Sequence, residues 1–247
     1  MKPVYHGHAE GRALRELARS YSTLVSDTTR VMSRLKALYR GRGIRCAGAR
    51  VYSPRSRSQW LEQLREPGAH RRAELLYEQL DGLRKLRQQA RTSMLTESRR
   101  HGARKILRSV PSIGPVRAAL LMAWLRTPHR FRGKRQLWAY AGLSLVTRSS
   151  ADYRVVKGEL LPARRPALIL GLNANHHHQV KALFKDAAAS ALAHPGPLRE
   201  FYDLRIAQGM KPELARLTLA RKIAATVLHL WKKGERFNAE YLKPQAA

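Results

Sequence analysis

Cysteine is nearly absent from this chain of 247 residues: Cys46 stands alone. A disulfide framework within the chain is therefore excluded, and so is any zinc finger built on paired cysteines. No apolar run approaches the roughly 20 residues that a membrane-spanning helix needs. No N-terminal stretch has the pattern of a secretory signal. These absences point to a cytoplasmic, nucleoid-associated protein of a prokaryote with no membrane partner. Acidic residues are the other shortage, with 17 Asp and Glu against 48 Lys and Arg. A two-metal nuclease needs several carboxylates converging on one pair of ions. Residues 1–108 hold nine acids, nearly all on the solvent side of predicted helices and interleaved with Arg. No apolar strand carries a pair of them, so no metal site is assigned to this chain.

What the chain has is positive charge and enough apolar residues to fold. Its net charge is +31 and its hydrophobic content 44%. Arg supplies 35 of the 48 basic residues; its planar fork matches phosphate oxygens. A GC-rich genome would explain Arg over Lys but not the shortage of acids. The excess is about +16 in residues 1–108 and +15 in 109–247, so no basic tail carries it. A folded, many-sided basic surface is implied, with nucleic acid as its partner.

Helical periodicity dominates the first half. Leu14, Leu17, Tyr21, Leu24, Thr28, Val31, Leu35 and Leu38 are spaced alternately by three and four. That predicts one helix over 10–40 with a heptad seam, closed by Gly41-Arg42-Gly43. A basic loop is expected over 44–58, then a helical run from Ser58 to Leu107, broken or kinked at Pro67-Gly68, with Leu76, Leu80, Leu83 and Ala90 as its seam. The two helices can form an antiparallel coiled-coil hairpin, pack as an ordinary helix pair, or pair with another subunit as a homo-oligomer. The second half reads as shorter helices near 115–126, 134–141, 176–193, 197–208 and 212–233. Gly142, Gly209 and Gly234 fall at their C-terminal ends, and Pro212 falls in a first turn. Between Leu143 and Leu172 lies a long irregular segment with strand-like pieces, notably Tyr153–Val156. The fold class is mainly α: a long helical coiled-coil hairpin over 1–103, then a compact helical domain over 104–247.

Three segments could carry chemistry. Pro111-Ser112-Ile113-Gly114, between two helices, has the pattern of a helix-hairpin-helix. That motif aims turn N–H groups and a helix N-terminus at a phosphate. Its usual form has Gly where Ser112 stands, because the backbone there has to open. The bland alternative is a plain helix–turn–helix connection. Ser149 and Ser150 follow Arg148 in the irregular segment. A serine there can attack a phosphodiester when its proton is removed and cations hold the phosphate; by residue type alone it is ordinary solvated loop. His176-His177-His178 suggests a metal cluster, but adjacent helical residues do not face one ion. A helix start with Asn175 as its cap is the preferred reading.

Taken in order, the motifs resemble a known family. "ILRSVPSIGPVRAALLMAWL" resembles a Pro-Gly-Ile-Gly hairpin and the helix after it. "HRFRGKRQLWAYAGL" resembles a Phe-x-x-x-x-x-Leu-x-x-Tyr-x-Gly-Leu segment through Phe131, Leu137, Tyr140, Gly142 and Leu143. "TRSSAD" falls where the family carries its serine. "NANHHHQVKALFKDAA" and "YDLRIAQGMKPELARLTLARKIAATVLHLWKKGERF" resemble its later helices. Residues 104–243 in this way resemble the C-terminal transposase domain of the IS-one-ten insertion-sequence family (the IS-one-one-six / IS-nine-oh-two type). Residues 10–100 look like that family's helical linker.

The resemblance implies DNA transposition through a serine nucleophile, guided by a structured bridge RNA. Ser150 takes the place of the nucleophile. Ala151 stands where the family usually has Gly, and the segment from Asp152 to Leu172 is longer than usual, which keeps Ser149 as the alternative. Family members begin with a RuvC-like domain whose acids hold metal. The resemblance implies a chain without that domain, an N-terminally truncated transposase inactive alone, with Mg2+ entering only with the missing domain. Expected contacts to nucleic acid are Ser112, Ile113, Gly114, Val116, Arg117, Lys134, Arg135 and Arg148. The competing readings are a non-catalytic helix-hairpin-helix protein that binds DNA or RNA and a structural basic RNA-binding protein.

Overall fold

The structure is a computed structural model that describes residues 11–148, 153–156, 159–162 and 168–242. The fold is mainly α. The chain divides into two compact units, residues 1–100 and 101–247.

In the first unit, α1 spans Arg12–Arg40 and stops at Gly41, whose N–H reaches the Ala37 carbonyl at 2.9 Å. Gly43 follows at φ +74°, a conformation open to glycine at little cost. The expected loop over 44–58 is instead partly helical. Short 3-10 turns at Arg50–Tyr52 and Pro54–Ser56 lead into α2, Arg57–Leu61. Val51 and Tyr52 are buried, which ties this segment to the core. Helix α3 spans Pro67–Ser98, with Pro67 in its first turn where a missing N–H costs nothing.

The end of α1 packs against the start of α3, forming a hairpin within one chain. Val31, Leu35, Leu38 and Tyr39 meet Ala69, Ala73, Tyr77 and Leu80, with Cys46, Val51 and Leu64 closing the cluster. The α1 seam is thus the expected one at this end. The α3 seam is only partly so. Leu80 is central and Leu76 and Leu83 flank it, whereas two alanines and a tyrosine fill the remaining turns. The Tyr39 and Tyr77 hydroxyls lie 3.2 Å apart in the interior. Burial pushes both phenols up from their ordinary range.

The run expected to continue to Leu107 ends at Ser98. After a break at residues 99–102, the second unit opens with α4, Ala103–Ser109. Helix α5, Pro115–Leu125, is buried at every position from Ala118 to Leu125, the pattern of a central helix. Helices α6 (Lys134–Tyr140), α7 (His178–Leu192), α8 (Pro197–Ala207) and α9 (Pro212–Lys233) follow close to the predicted bounds. Helix α9 buries Ala215, Leu219, Ile223, Val227 and Leu230 and packs on α4, α6, α7 and α8. Gly142, Gly209 and Gly234 lie at φ +62°, +83° and +75°, as helix-terminating glycines do.

The segment predicted as irregular contains two antiparallel pairs among the described residues. β1 (Leu145–Arg148) pairs with β4 (Leu168–Leu172), with a register shift between Val146 and Thr147. β2 (Tyr153–Val156) pairs with β3 (Glu159–Pro162). Only β2 stood out beforehand, because its partners are set by pairing across the segment and not by a local period.

Candidate nucleic-acid interface

Helices α4 and α5 are joined by a tight turn at Val110–Ile113. The Ile113 N–H donates to the Val110 carbonyl at 3.0 Å, closing a four-residue turn with Pro111 second and Ser112 third. Ser112 sits at φ +70°. A proline followed by a positive φ is the type II turn, whose third position favours glycine. Ser112 occupies that position with its Oγ buried and, among the described residues, without a partner. Val110 and Ile113 are buried and anchor the turn. Ile113 therefore supports the turn from within, its N–H already used.

Gly114 has a different character. Its φ is −72°, which any residue adopts, and a Cβ built there meets nothing within 4 Å. Neither strain nor packing requires glycine, so the face of residue 114 is open to an approaching group. Pro115 opens α5, and the N–H groups of Val116 and Arg117 belong to the first turn, where a helix has no internal acceptors. An open depression of about 380 Å³ adjoins this turn, lined among others by Arg108, Ser109, Ser112, Gly114, Arg117 and Ser190.

Arg117 is committed inside the protein. It donates to the Ser112 carbonyl at 2.8 Å and to the Asp186 carbonyl on α7 at 3.1 Å. Its main effect is to brace the turn against α7 while keeping its charge beside the depression. Arg108 is exposed on the last turn of α4. Ser109 receives the Phe237 N–H at 2.8 Å and donates to the Ile106 carbonyl at 2.6 Å, so its hydroxyl proton is already committed.

Lys134 and Arg135 are exposed in the first turn of α6. The same helix holds Trp138, whose indole N–H donates to the Arg221 carbonyl on α9 at 2.9 Å. Arg221 returns a bond from Nε to the Leu143 carbonyl at 2.5 Å. Lys232 reaches the Phe131 and Arg132 carbonyls at 2.6 and 3.2 Å. Helix α9 thereby fixes both ends of the Phe131–Leu143 segment, from which β1 departs to finish at Arg148. Ser149 and Ser150 lie outside the described residues.

The histidine run forms a packing knot. The α7 cap is His177, not Asn175: Nδ1 of His177 accepts the Val180 N–H at 3.3 Å, and Asn175 N–H turns instead to the Asn173 side chain at 3.1 Å. The His177 ring lies 5.5 Å from Trp124 and 5.4 Å from Tyr140. Burial holds its pKa below the ordinary imidazole value, helped by the Arg130 charge. His176 packs over Gly142 so closely that a Cβ there would stand 2.4 Å from its ring. The His176 and His177 rings thus serve the join between α6 and α7, while His178 is exposed beside His176.

These features were partly visible beforehand. The turn and its helix start were marked by Pro, Gly and charge. The long-range carbonyl bonds of Arg117, Arg221 and Lys232 had no local signature. No curated protein matches the chain. Residues 104–203, which hold the hairpin, α6, the serine segment and α7, match the Transposase IS116/IS110/IS902 family and are consistent with the C-terminal transposase domain of that family.

Proposed function

We propose that this chain acts on DNA in transposition, with the α4–α5 turn as a phosphate-binding element and Ser150 as the nucleophile. The family match supports a transposase function. The observation that carries the phosphate-binding element is Gly114, while Ser150 rests on the resemblance alone. The open face of Gly114, beside the N-terminus of α5 and a depression bordered by two arginines, leaves a backbone phosphate room to approach. In the reaction, the Ser150 oxygen attacks the scissile phosphorus and the bond to the leaving strand's oxygen breaks. The displaced hydroxyl takes up the proton that the serine gave up. Attack by a second strand's hydroxyl on the phosphoserine link then restores the serine. A structured guide RNA and association through residues 10–100 belong to the same reading.

Gly114→Val tests the binding element. A side chain at 114 meets no protein atom within 4 Å at its Cβ, so the fold should persist while phosphate approach is blocked. Affinity for duplex DNA, measured on the folded variant, should fall about tenfold or more, the loss of a charge-assisted contact. Equal affinity would remove the turn from the interface. For the chemistry, Ser150→Ala should abolish the covalent protein–DNA link in a transposition reaction that the unaltered protein supports with Mg2+ and guide RNA. Full activity of Ser150→Ala refutes the assignment; loss in Ser149→Ala alone moves it by one residue.

A further inference from the structure

Away from the α4–α5 turn, α6, α8 and α9 bring together cations that no carboxylate among the described residues neutralises. Lys134 and Trp138 are one turn apart on α6, with the Lys134 ammonium 5.9 Å from the indole centre. On α8, the Arg205 guanidinium lies 5.1 Å from the centre of the Phe201 ring, and the Lys222 ammonium on α9 lies 5.9 Å from the same ring. Arg221, next to Lys222, is held by the bonds to Trp138 and Leu143. Among the described residues, no Asp or Glu forms an ion pair with Lys134, Arg205, Arg221 or Lys222, and Arg205 Nε and Arg221 Nη2 have no acceptor.

Such a grouping opposes folding. Like charges repel, and Lys222 is half withdrawn from water. Its pKa is pushed down, first by burial and then by the charges of Lys134 and Arg205. A surface that only needed solubility would spread these charges or interleave acids. Trp138 and Phe201 hold these cations at their ring faces, where a cation–π contact is modest and leaves the like-charge repulsion uncancelled.

We propose that Lys134, Arg205 and Lys222 form a second anion site that holds a nucleic-acid phosphodiester. It rests on the reading of the chain as a nucleic-acid-binding protein and adds a contact point distinct from the α4–α5 turn. A bound phosphodiester supplies the negative charge the cluster lacks and offsets the repulsion that the free protein carries.

The test uses the full chain with Lys134→Gln and Lys222→Met, the latter keeping the aliphatic length. Affinity for a duplex DNA and for a single-stranded RNA is measured across a salt series. Each variant should make the slope of log affinity against log salt shallower by about 0.9 on duplex DNA or about 0.7 on single-stranded RNA. On DNA, the fall in affinity between about 50 and about 200 mM salt then shrinks about 3.5-fold. Lys222→Met should melt no lower than the unaltered protein, since it removes a repelling charge. Should it fail to fold, Arg205→Gln replaces it. A slope change on DNA only, RNA only or both names the source of the phosphate. An unchanged slope on both for either variant overturns the shared site. In the unaltered protein, saturating nucleic acid should also slow acylation of Lys134 and Lys222 several-fold, read by mass spectrometry, and unslowed acylation overturns it. If the unaltered protein shows steep salt dependence and the variants match it, the cluster alone is lost. A flat salt dependence in the unaltered protein removes the nucleic-acid reading itself.

Discussion

Ser112→Gly should make the second unit more stable, an unusual direction for a substitution at a proposed site. Ser112 has φ +70° in the glycine position of a type II turn. An L-residue in this region costs about 1–2 kcal/mol. Its buried Oγ is also without a partner among the described residues, and an unsatisfied buried hydroxyl costs about 1–3 kcal/mol. Glycine relieves both, but its freer unfolded chain returns about 0.5–1 kcal/mol. The Ser112 carbonyl still receives Arg117, so the brace to α7 is kept. The net gain is about 1 kcal/mol at the low end of these ranges. In a unit of this size that raises the melting temperature by about 2–4 °C. Differential scanning calorimetry on the full chain reads it directly. Ser112→Ala separates the two causes, because alanine removes the hydroxyl and keeps the strained backbone. Ser112→Val should lower the midpoint, since a β-branched residue tolerates this region least. A melting temperature for Ser112→Gly at or below that of the unaltered protein would refute the argument from backbone strain.

Other outcomes follow from the packing. Gly142→Ala combines φ +62° with a Cβ 2.4 Å from the His176 ring, and should destabilise by about 1–3 kcal/mol in a urea titration; an unshifted midpoint would show that His176 moves freely. Tyr39→Phe strands the Tyr77 hydroxyl and should cost about 1–2 kcal/mol, while the Tyr39→Phe, Tyr77→Phe pair should cost less than the sum of the single changes. Because burial raises both phenols, the stability they contribute is complete below the ordinary phenol value of about 10 and is lost as pH rises beyond it. Alkaline unfolding followed by circular dichroism checks this. His177 titrates in the opposite sense. Its pKa is lowered, so the stability it contributes is complete above about pH 6.5 and is lost as pH falls below. His177→Asn retains a cap acceptor and should flatten that acid slope; an unchanged slope assigns it to another group.

The helices of the second unit were legible because their punctuation is local. Gly142, Gly209 and Gly234 announce helix ends through their tolerance of positive φ, and Pro115 and Pro212 announce starts. The break between α3 and α4 has one local mark, Gly102, and it was passed over because no proline accompanies it and Arg99 and Arg100 suit a helix. The α3 seam was read too narrowly for a related reason. Ala69 and Ala73 are core residues by position, through the close approach of α1, and their small side chains give little hydrophobic signal. The cap at His177 was missed because the ring's acceptor role depends on its neutral form, which burial against Trp124 and Tyr140 secures.

The candidate site shows the same division between local and distant causes. The turn at Pro111–Gly114 is a local object, and four residues were enough to place it. What makes it rigid is not local: Arg117 reaches Asp186 on α7, 69 positions away, and Ser109 receives Phe237, 128 positions away. The segment that leads into β1 is organised likewise. Arg221 on α9 grips the Leu143 carbonyl across 78 positions, and Lys232 grips Phe131 across 101. Each of these cations donates to a main-chain carbonyl rather than to an acid. A basic chain with few carboxylates has to satisfy its inward-facing Arg and Lys somewhere, and backbone carbonyls at helix ends and turns are the acceptors at hand. The excess charge therefore has two destinations. Arg117, Arg221 and Lys232 are spent as internal braces that fix where the turn and β1 sit. Arg108, Lys134 and Arg135 stay exposed, where the proposed reading has them meet phosphate. Replacing a brace with Gln should lower the melting temperature along with DNA affinity, whereas replacing an exposed cation should lower affinity and the salt slope alone. For Arg221→Gln and Arg135→Gln, measured side by side, an identical pattern in melting and in salt slope would show that this division of roles is wrong.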